Sequence, residues 1–322
     1  MSHRRIGQLG FVDDMVARRQ RRGSDDLERI GRLVDWQRIE ERIGNLYPSS
    51  TGEPAYPPLM MFKVLLLQCW HGLSDPEMED ALDDRLSFRR FAGLSLEDEV
   101  PDHSTIWRFR QRLAERKLDE AVMAEVERQL DGSGFVVKRG SLIDASLVSS
   151  AARRPRMDEG KTSKTDGDAR FGAGNERGKY TFGYKMHVAV DQGSSVVRAA
   201  ILSPANIQEI DIAGDLVRGD EACVYADRGY DSKRLHDRLA ALGIANAVMR
   251  RGGKDRPVSS SDIERNHAIS AVRRNVEKVF GTFKRHYGFG RMRYFTLARN
   301  RVRLLLTAIC YNLRRCATIA AT

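Results

Sequence analysis

Cysteine is scarce in this chain of 322 residues. The four cysteines contain no CxxC pair and have no histidine at ligand spacing; they are Cys69, Cys223, Cys310 and Cys316. This pattern argues against a zinc site. It is typical of a protein with reduced thiols, so we expect a cytoplasmic location.

Long hydrophobic runs are also missing. The longest, around Leu65 and Leu304, are too short to span a bilayer and adjoin Lys63 and Arg303. The first ten residues, MSHRRIGQLG, lack the apolar segment of a signal peptide. Aromatic residues make up 7% of the chain, which weakens the case for stacking on single-stranded bases. We therefore expect no membrane partner.

Basic charge is abundant and unevenly spread. The net charge of +10 and the isoelectric point of about 9.6 indicate a polyanionic partner. Residues 245–322 hold 17 Lys and Arg against 4 Asp and Glu, whereas the other residues hold 37 and 40. A smaller basic cluster lies at Arg18, Arg19, Arg21 and Arg22. A solvated surface is the alternative, but so local an excess favours a phosphate-binding face.

The first part of the chain, residues 1–132, predicts an all-helical domain. Apolar residues recur at helical spacing over 25–46, which predicts one helix there. Further helices are indicated after Pro58, after Ser74-Asp75-Pro76 and after Asp102. These elements form short helix–turn–helix units. In STIWRFRQRL, Arg108 and Arg112 flank apolar positions, as in a recognition helix that binds a major groove, although an ordinary amphipathic helix fits too.

The second part, residues 133–322, predicts a mixed α/β domain. Strand patterns surround SLIDAS, TFGYKMHVAVD, VVRAAILSP, CVYAD and IANAV, with a hairpin turn at Gln192-Gly193. Helices follow the later strands, and a long one covers about 261–287. This order implies a mixed sheet with helices packed on it. The charged, Gly-rich stretch within 151–179 predicts a mobile basic loop.

Two aspartates stand at the ends of apolar strands. Asp144 ends SLID, and Asp227 ends CVYAD. A carboxylate at such a place is costly to desolvate unless it is paired or bound to a metal ion. We therefore expect both to meet at one edge of the sheet.

A glutamate on the long helix is the third candidate. Glu277 borders the core stripe of AVRRNVEKVFGTFKRH, with Arg273 one turn before it and Lys284 almost two turns after it. Three hard oxygen donors without soft ligands suit two Mg²⁺ ions, with Mn²⁺ able to substitute. Such a pair can cut and rejoin phosphodiester bonds. As an alternative, each acid taken singly could be a cap or a salt-bridge partner, but this explains all three together less readily.

These motifs resemble the DDE transposases of bacterial insertion sequences, in the insertion-sequence-five branch. IDAS resembles the family's first-Asp motif, YADRGYDS the second-Asp motif, and RRNVEKVFGTFKRH its third-acid signature of Tyr, Arg, Glu and Lys. Arg273, Glu277 and Lys284 fit that signature, whereas Ser270 stands where Tyr is expected. The N-terminal stretch from PPLMMFKVLLLQCW to PDHSTIWRFRQRL is similar to the family's N-terminal domain.

The resemblance implies a ribonuclease-H-like mixed sheet flanked by helices, preceded by the helical domain. It also implies a catalytic domain at 133–322 and a DNA-binding and dimerisation domain at 1–132. Double-stranded DNA at transposon ends and targets is the implied partner, with a homodimer on DNA in the bacterial nucleoid. The acid spacings predict no large all-β insertion before Glu277.

Two further residues are candidates for DNA contact. His187 lies on the strand next to the first-Asp strand, although a structural histidine at a strand edge is the favoured alternative. Arg228 adjoins Asp227. Two other functions compete with an active transposase: a domesticated, non-catalytic DNA-binding regulator, and a nuclease of the same fold that does not join strands.

Overall fold

The computed structural model describes residues 3–8, 10, 25–47, 54–156, 162–174, 180–253 and 257–321. The predicted basic cluster at residues 18–22 lies outside them. Contacts divide the chain into one unit of Met1–Ser133 with Leu305–Thr322, and a second of Gly134–Leu304. The sequence-based division kept residues 305–322 in the catalytic part, whereas their contacts group them with the first unit.

Helices build the described part of the first unit. They are α1 Asp25–Leu33, α2 Trp36–Ile43, α3 Pro58–His71, α4 Asp75–Asp84, α5 Leu86–Ala92, α6 His103–Glu115 and α7 Leu118–Gly132, with the second half of α11 Leu297–Ile319. Ser74 begins α4 with a capping box, because its hydroxyl accepts from the Glu77 amide while Glu77 accepts from the Ser74 amide.

The single helix predicted over 25–46 is two helices. Asp35 ends the first pattern and caps α2, since its carboxylate accepts from the amides of Gln37 and Arg38. An internal Asp competes with helical backbone in this way, and periodicity does not reveal it.

A buried polar cluster ties α3, α4 and α6 together. Arg110 is 5% exposed, and its guanidinium donates to both carboxylate oxygens of Asp75 and, at 2.8 Å, to Gln68 Oε1. Arg108, two residues earlier on the same helix, is exposed. Neighbouring arginines of one motif thus have different roles, and Arg110 is structural.

The second unit is a mixed sheet with helices on it. Its strands are β1 Ser141–Ser149, β2 Arg170–Ala173, β3 Tyr180–Asp191, β4 Val197–Pro204, β5 Cys223–Ala226 and β6 Ala245–Val248; its helices are α8 Glu209–Leu216, α9 Lys233–Ala241, α10 Ser260–His286 and the first part of α11. The strand order is β2-β3-β1-β5-β6, with β4 also paired to β3. Strand β3 runs antiparallel to β1, β2 and β4, while β1, β5 and β6 run parallel.

This architecture confirms the predicted fold class, a ribonuclease-H-like mixed sheet flanked by helices after a helical N-terminal region. The hairpin of β3 and β4 turns at Gln192-Gly193, as predicted. Between Asp227 and Glu277 the described residues form a short 3-10 turn, α9, β6 and part of α10. The described part of that interval holds no all-β insertion, as expected.

The mobile loop predicted over 151–179 contains ordered structure. Strand β2 pairs with β3, and the rings of Phe171 and Phe182 pack 5.1 Å apart. Asp166 is fully buried and accepts hydrogen bonds from Ser150 Oγ at 2.6 Å and from Tyr184 Oη at 2.5 Å. Within the predicted loop, Arg170–Ala173 is therefore a strand, and the buried Asp166 carboxylate makes contacts before it. Residues 157–161 and 175–179 lie outside the described residues.

Replacing Arg110 should destabilise the protein strongly. We expect Arg110→Ala to lower the free energy of unfolding by about 3 kcal/mol, because Asp75 and Gln68 lose their buried partner. Arg108→Ala, which removes the same atoms from an exposed site on the same helix, should change it by less than about 0.5 kcal/mol. Urea unfolding followed by circular dichroism measures both; equal effects would contradict the structural role of Arg110.

Candidate active site

The two aspartates occupy equivalent places on neighbouring parallel strands. In the register of β1 and β5, Ser141 pairs with Val224 and Leu142 with Tyr225. Asp144 lies two positions after Leu142, and Asp227 lies two positions after Tyr225, the partner of Leu142. The carboxyl ends of parallel strands lie at one edge of a sheet, and alternation places both side chains on the same face.

That face is covered by α10. Asp144 points away from Ile143, which packs in the core with Leu235 and Leu239 of α9. On the opposite face from that core, Arg273 of α10 donates to Asp144, with Nη2 3.1 Å from Oδ2. The side chains are 13% and 18% exposed, so the ion pair is largely buried.

The Asp144 carboxyl is unfavourably placed for its charge. Burial is the main cause that raises its pKa to about 6, and the charges of Asp227 and Glu277 raise it further. Arg273 and the amide of Ala145 act in the opposite direction. The three predicted acids therefore share one electrostatic environment, with Arg273 as the counter-ion.

Helix α10 fixes the position of Glu277. Ser259 caps the helix by accepting from the Asp262 amide at 3.1 Å, and a buried stripe holds it in place: Ile269, Val276, Val279, Phe280 and Phe283. Glu277 itself is exposed, as are Ser270 and Lys284. The helix thus presents Arg273 one turn before Glu277 and Lys284 about two turns after it, with Ser270 one turn before Arg273.

A short turn after β5 brings in residues that the sequence analysis missed. Asp227 caps the 3-10 turn Arg228–Tyr230, and its Oδ1 accepts from the Gly229 amide at 2.9 Å. A Cβ on Gly229 would lie 2.9 Å from Glu209 Oε2 and 3.0 Å from Asp227 Oδ1. Glu209, in the first turn of α8, is therefore a further acid beside Asp227. The sequence signal for it, one Glu at a helix start, is too common to single it out.

Lys185 forms an ion pair with Glu209. Its Nζ lies 2.9 Å from Glu209 Oε1 and 3.0 Å from the carbonyl of Ile207. Arg228, in contrast, is exposed beside Asp227. Among the described residues, Asp144 and Asp227 at the ends of β1 and β5 are thus joined by Glu209 of α8 and Glu277 of α10, and Arg273 and Lys185 are the basic partners of Asp144 and Glu209.

The sheet separates the His187 side chain from the Asp144 carboxylate. It pairs with Ala145 across β1 and β3, so its side chain is on the other face of the sheet from Asp144. It is fully buried, and its Nε2 lies 2.9 Å from Ser203 Oγ. Burial, with a smaller contribution from Lys185, lowers its pKa to about 3. The prediction that His187 contacts DNA does not fit this position, and the structural alternative does.

The donor set is suited to a hard divalent cation, although the acids are not gathered around one point. Carboxylate oxygens are the ligands that Mg²⁺ and Mn²⁺ prefer. Within the ranges that the structure describes, no three His, Cys, Asp or Glu side chains are grouped closely enough to hold a metal ion. Burial, with smaller contributions from Asp227 and Glu277, raises the pKa of Asp144, so a positive charge beside this carboxylate would be favourable.

The first unit has a basic concave surface on α6. Arg108 and Arg112 are exposed there, and the Arg112 guanidinium lies 4.9 Å from the centre of the Tyr47 ring. Both arginines line a cavity of about 190 Å³ with Arg4, Tyr56 and Thr105. This surface can accept an anionic group.

Comparison with known proteins identifies the family. The family model "Transposase DDE domain" matches residues 137–313, and the model "Transposase domain (DUF772)" matches residues 15–112. The first covers more than half of the chain, and the chain therefore belongs to the DDE transposases. That family comprises DNA-cutting and strand-transfer enzymes that generally use divalent metal ions.

A solved structure described as "Crystal structure of the Mos1 Strand Transfer Complex" is similar over 89% of this chain and 85% of that one. The identity is 12% and the TM-score 0.21, too low a likeness to bear on function. Among the described helices, none is both long and apolar enough to cross a membrane.

The buried Asp144 should make stability depend on pH. The folded protein binds the Asp144 proton more tightly than the unfolded chain, so protonation favours folding, and that stabilisation is lost as the pH rises from about 4 past about 6. In EDTA, the free energy of unfolding of the wild type should fall over this pH range by roughly 2–3 kcal/mol more than that of Asp144→Asn.

Urea unfolding of the wild type and Asp144→Asn between pH 4 and pH 7.5 measures the difference. Parallel curves for the two proteins would contradict the raised pKa of Asp144.

Proposed function

We propose that this DDE transposase binds the terminal inverted repeats of an insertion sequence and catalyses metal-dependent strand cleavage and strand transfer. Asp144, Asp227 and Glu277 are the proposed catalytic acids. The observation that carries the proposal is the equivalent placement of the two aspartates, on the sheet face that α10 covers with Glu277 and Arg273. We also propose the insertion-sequence-five branch, from the motifs around these acids.

The three acids would hold two Mg²⁺ ions, which activate a water or a 3′-hydroxyl and stabilise the leaving oxygen. Because the acids are not gathered in the described structure, holding the ions would require Asp144, Asp227 and Glu277 to lie closer together. Asp144 would then no longer depend on Arg273 as its counter-charge. The Arg273 guanidinium would then be available to a DNA phosphate, for which its planar, two-pronged donor set is suited.

Other basic residues supply the remaining contacts with DNA in this proposal. Arg228 directly follows Asp227 and Lys284 lies seven residues after Glu277; both are exposed, and their charges can bind backbone phosphates. Arg108 and Arg112 would bind DNA through α6 of the first unit. A homodimer on two transposon ends is the proposed assembly.

The two competing functions make different predictions. A non-catalytic regulator would gain nothing from keeping a carboxylate as costly as Asp144 buried at a strand end. A nuclease of this fold would cut DNA but would not join a pre-cleaved end to a target. Strand-transfer product from a pre-cleaved end and a target plasmid separates the transposase from both.

Neutral, isosteric replacements of the acids test the chemistry. We expect Asp144→Asn, Asp227→Asn and Glu277→Gln each to lower the cleavage rate at least about 10³-fold, because each removes a charged metal ligand. Binding of end DNA, measured by fluorescence anisotropy, should survive. Asp237→Asn, an exposed acid paired with Lys233, is the matched control and should cut normally. Normal cutting by any of the three variants would remove that acid from the proposed site.

Arginines on α6 should contribute to binding through phosphates. For Arg108→Ala with Arg112→Ala, we expect weaker binding to all sequences and a slope of log K against log salt reduced by about 2. Arg32→Ala with Arg38→Ala removes the same charge from exposed sites on α1 and α2 and should leave the slope unchanged. Equal slopes for both double variants would exclude α6 from the interface.

A further inference from the structure

Tyr230 lies at the edge of the sheet next to the acids. It ends the 3-10 turn that Asp227 caps, and its amide donates to the Asp227 carbonyl at 3.2 Å. The side chain is fully buried, and the ring packs in the core with Ile143, Leu235 and Leu239. The ring alone would suit a phenylalanine, so the hydroxyl needs a separate explanation.

That hydroxyl has no hydrogen-bond partner among the described residues. Native proteins rarely leave a buried polar group unsatisfied, because its lost hydration is not replaced. Burial raises the pKa of Tyr230 well above its ordinary value, and the negative charges of Asp144, Asp227 and Glu209 raise it further. At neutral pH the group is therefore a protonated donor beside the acids.

Asp144, one of these acids, is already engaged by other donors. Asp144 Oδ1 accepts from the Ala145 amide at 2.9 Å, and Oδ2 is 3.1 Å from Arg273 Nη2. Arg273 Nε is also buried and lacks a partner among the described residues. The Tyr230 hydroxyl and Arg273 Nε are thus two buried donors that lack an acceptor among the described residues.

Tyr184, in the same unit, is a buried tyrosine whose hydroxyl has a hydrogen-bond partner. It too is fully buried, but its hydroxyl donates to Asp166 Oδ1 at 2.5 Å. The contrast makes the unpaired hydroxyl of Tyr230 a local feature of the acidic edge.

We propose that Tyr230 is a positioning residue whose hydroxyl donates a hydrogen bond to an oxygen that enters the site with the divalent ion. That oxygen belongs either to a water on the ion or to a non-bridging position of a DNA phosphate. The proposal rests on the function proposed above, because it needs an ion between the acids. It assigns Tyr230 to orienting that oxygen, while the acids hold the ion.

Tyr230→Phe tests this, with Tyr184→Phe as the matched control. In EDTA, Tyr230→Phe should have a Tm equal to or above that of the wild type, because it removes an unsatisfied hydroxyl. Tyr184→Phe should have a lower Tm, because Asp166 loses a buried donor. Thermal unfolding in EDTA, in MgCl₂, and in CaCl₂ with an end-DNA duplex gives the three measurements.

The arms with ions separate the two sources of the oxygen. If it belongs to a metal-bound water, the rise in Tm with MgCl₂ alone should be smaller in Tyr230→Phe, and half-maximal cleavage should need about five- to tenfold more Mg²⁺. If it belongs to a phosphate, MgCl₂ alone should stabilise both proteins equally, and Tyr230→Phe should bind end DNA about five- to tenfold more weakly in CaCl₂. Tyr184→Phe should match the wild type in these responses.

Three results would overturn the proposal. The first is a Tyr230→Phe protein as destabilised in EDTA as Tyr184→Phe, since the hydroxyl then has a partner within the protein. The second is a Tyr230→Phe protein equal to an active wild type in every metal and DNA response, which leaves the proposed function intact. The third is a wild type that neither gains stability from divalent ions nor cuts DNA, which removes the proposed function as well.

Discussion

The buried ion pair of Asp144 and Arg273 is the interaction on which the site depends. A carboxylate at the end of a central strand loses hydration, and one guanidinium from α10 compensates for it only in part, as the raised pKa shows. The pair links strand β1 to helix α10 and so brings Glu277 into the same environment as the aspartates. Structure and chemistry therefore rest on the same two side chains.

Residues that are adjacent in sequence on a strand direct their side chains to opposite faces of the sheet. Asp144 faces α10, whereas Ile143 faces the core beneath α8 and α9, and Ala145 shares the face of Ile143. The same alternation directs His187 to the face opposite Asp144. A one-residue change of register would exchange these two sets, which is why the pairing of β1 with β3 and β5 is as important to the site as the acids themselves.

Much of this arrangement could be predicted from the sequence, because it has strong local signals. The β3–β4 hairpin, the strand-end positions of Asp144 and Asp227, and the apolar stripe of α10 all follow from periodicity and turn residues. The role of Glu277 was reached only with the help of a family resemblance, since a Glu beside a helix stripe is common.

The features that escaped prediction depend on contacts distant in sequence. Strand β2 has only four residues and lies within a charged, Gly-rich stretch, and it is a strand because β3 pairs with it. Arg110 differs from Arg108 only in that Asp75 lies opposite it, and Tyr230 stands out only when its hydroxyl is found without a partner. Periodicity carries no information on such pairings.

Gly229 has a consequence for genetic experiments. The position lies where any Cβ would meet both the Glu209 and the Asp227 carboxylates. Even a methyl group there would push Glu209 from Lys185, or Asp227 from the amide that it caps. A screen for inactive alleles should therefore return changes at this glycine beside changes at the acids, although glycine has no functional group of its own. Its contribution is the space that it leaves empty.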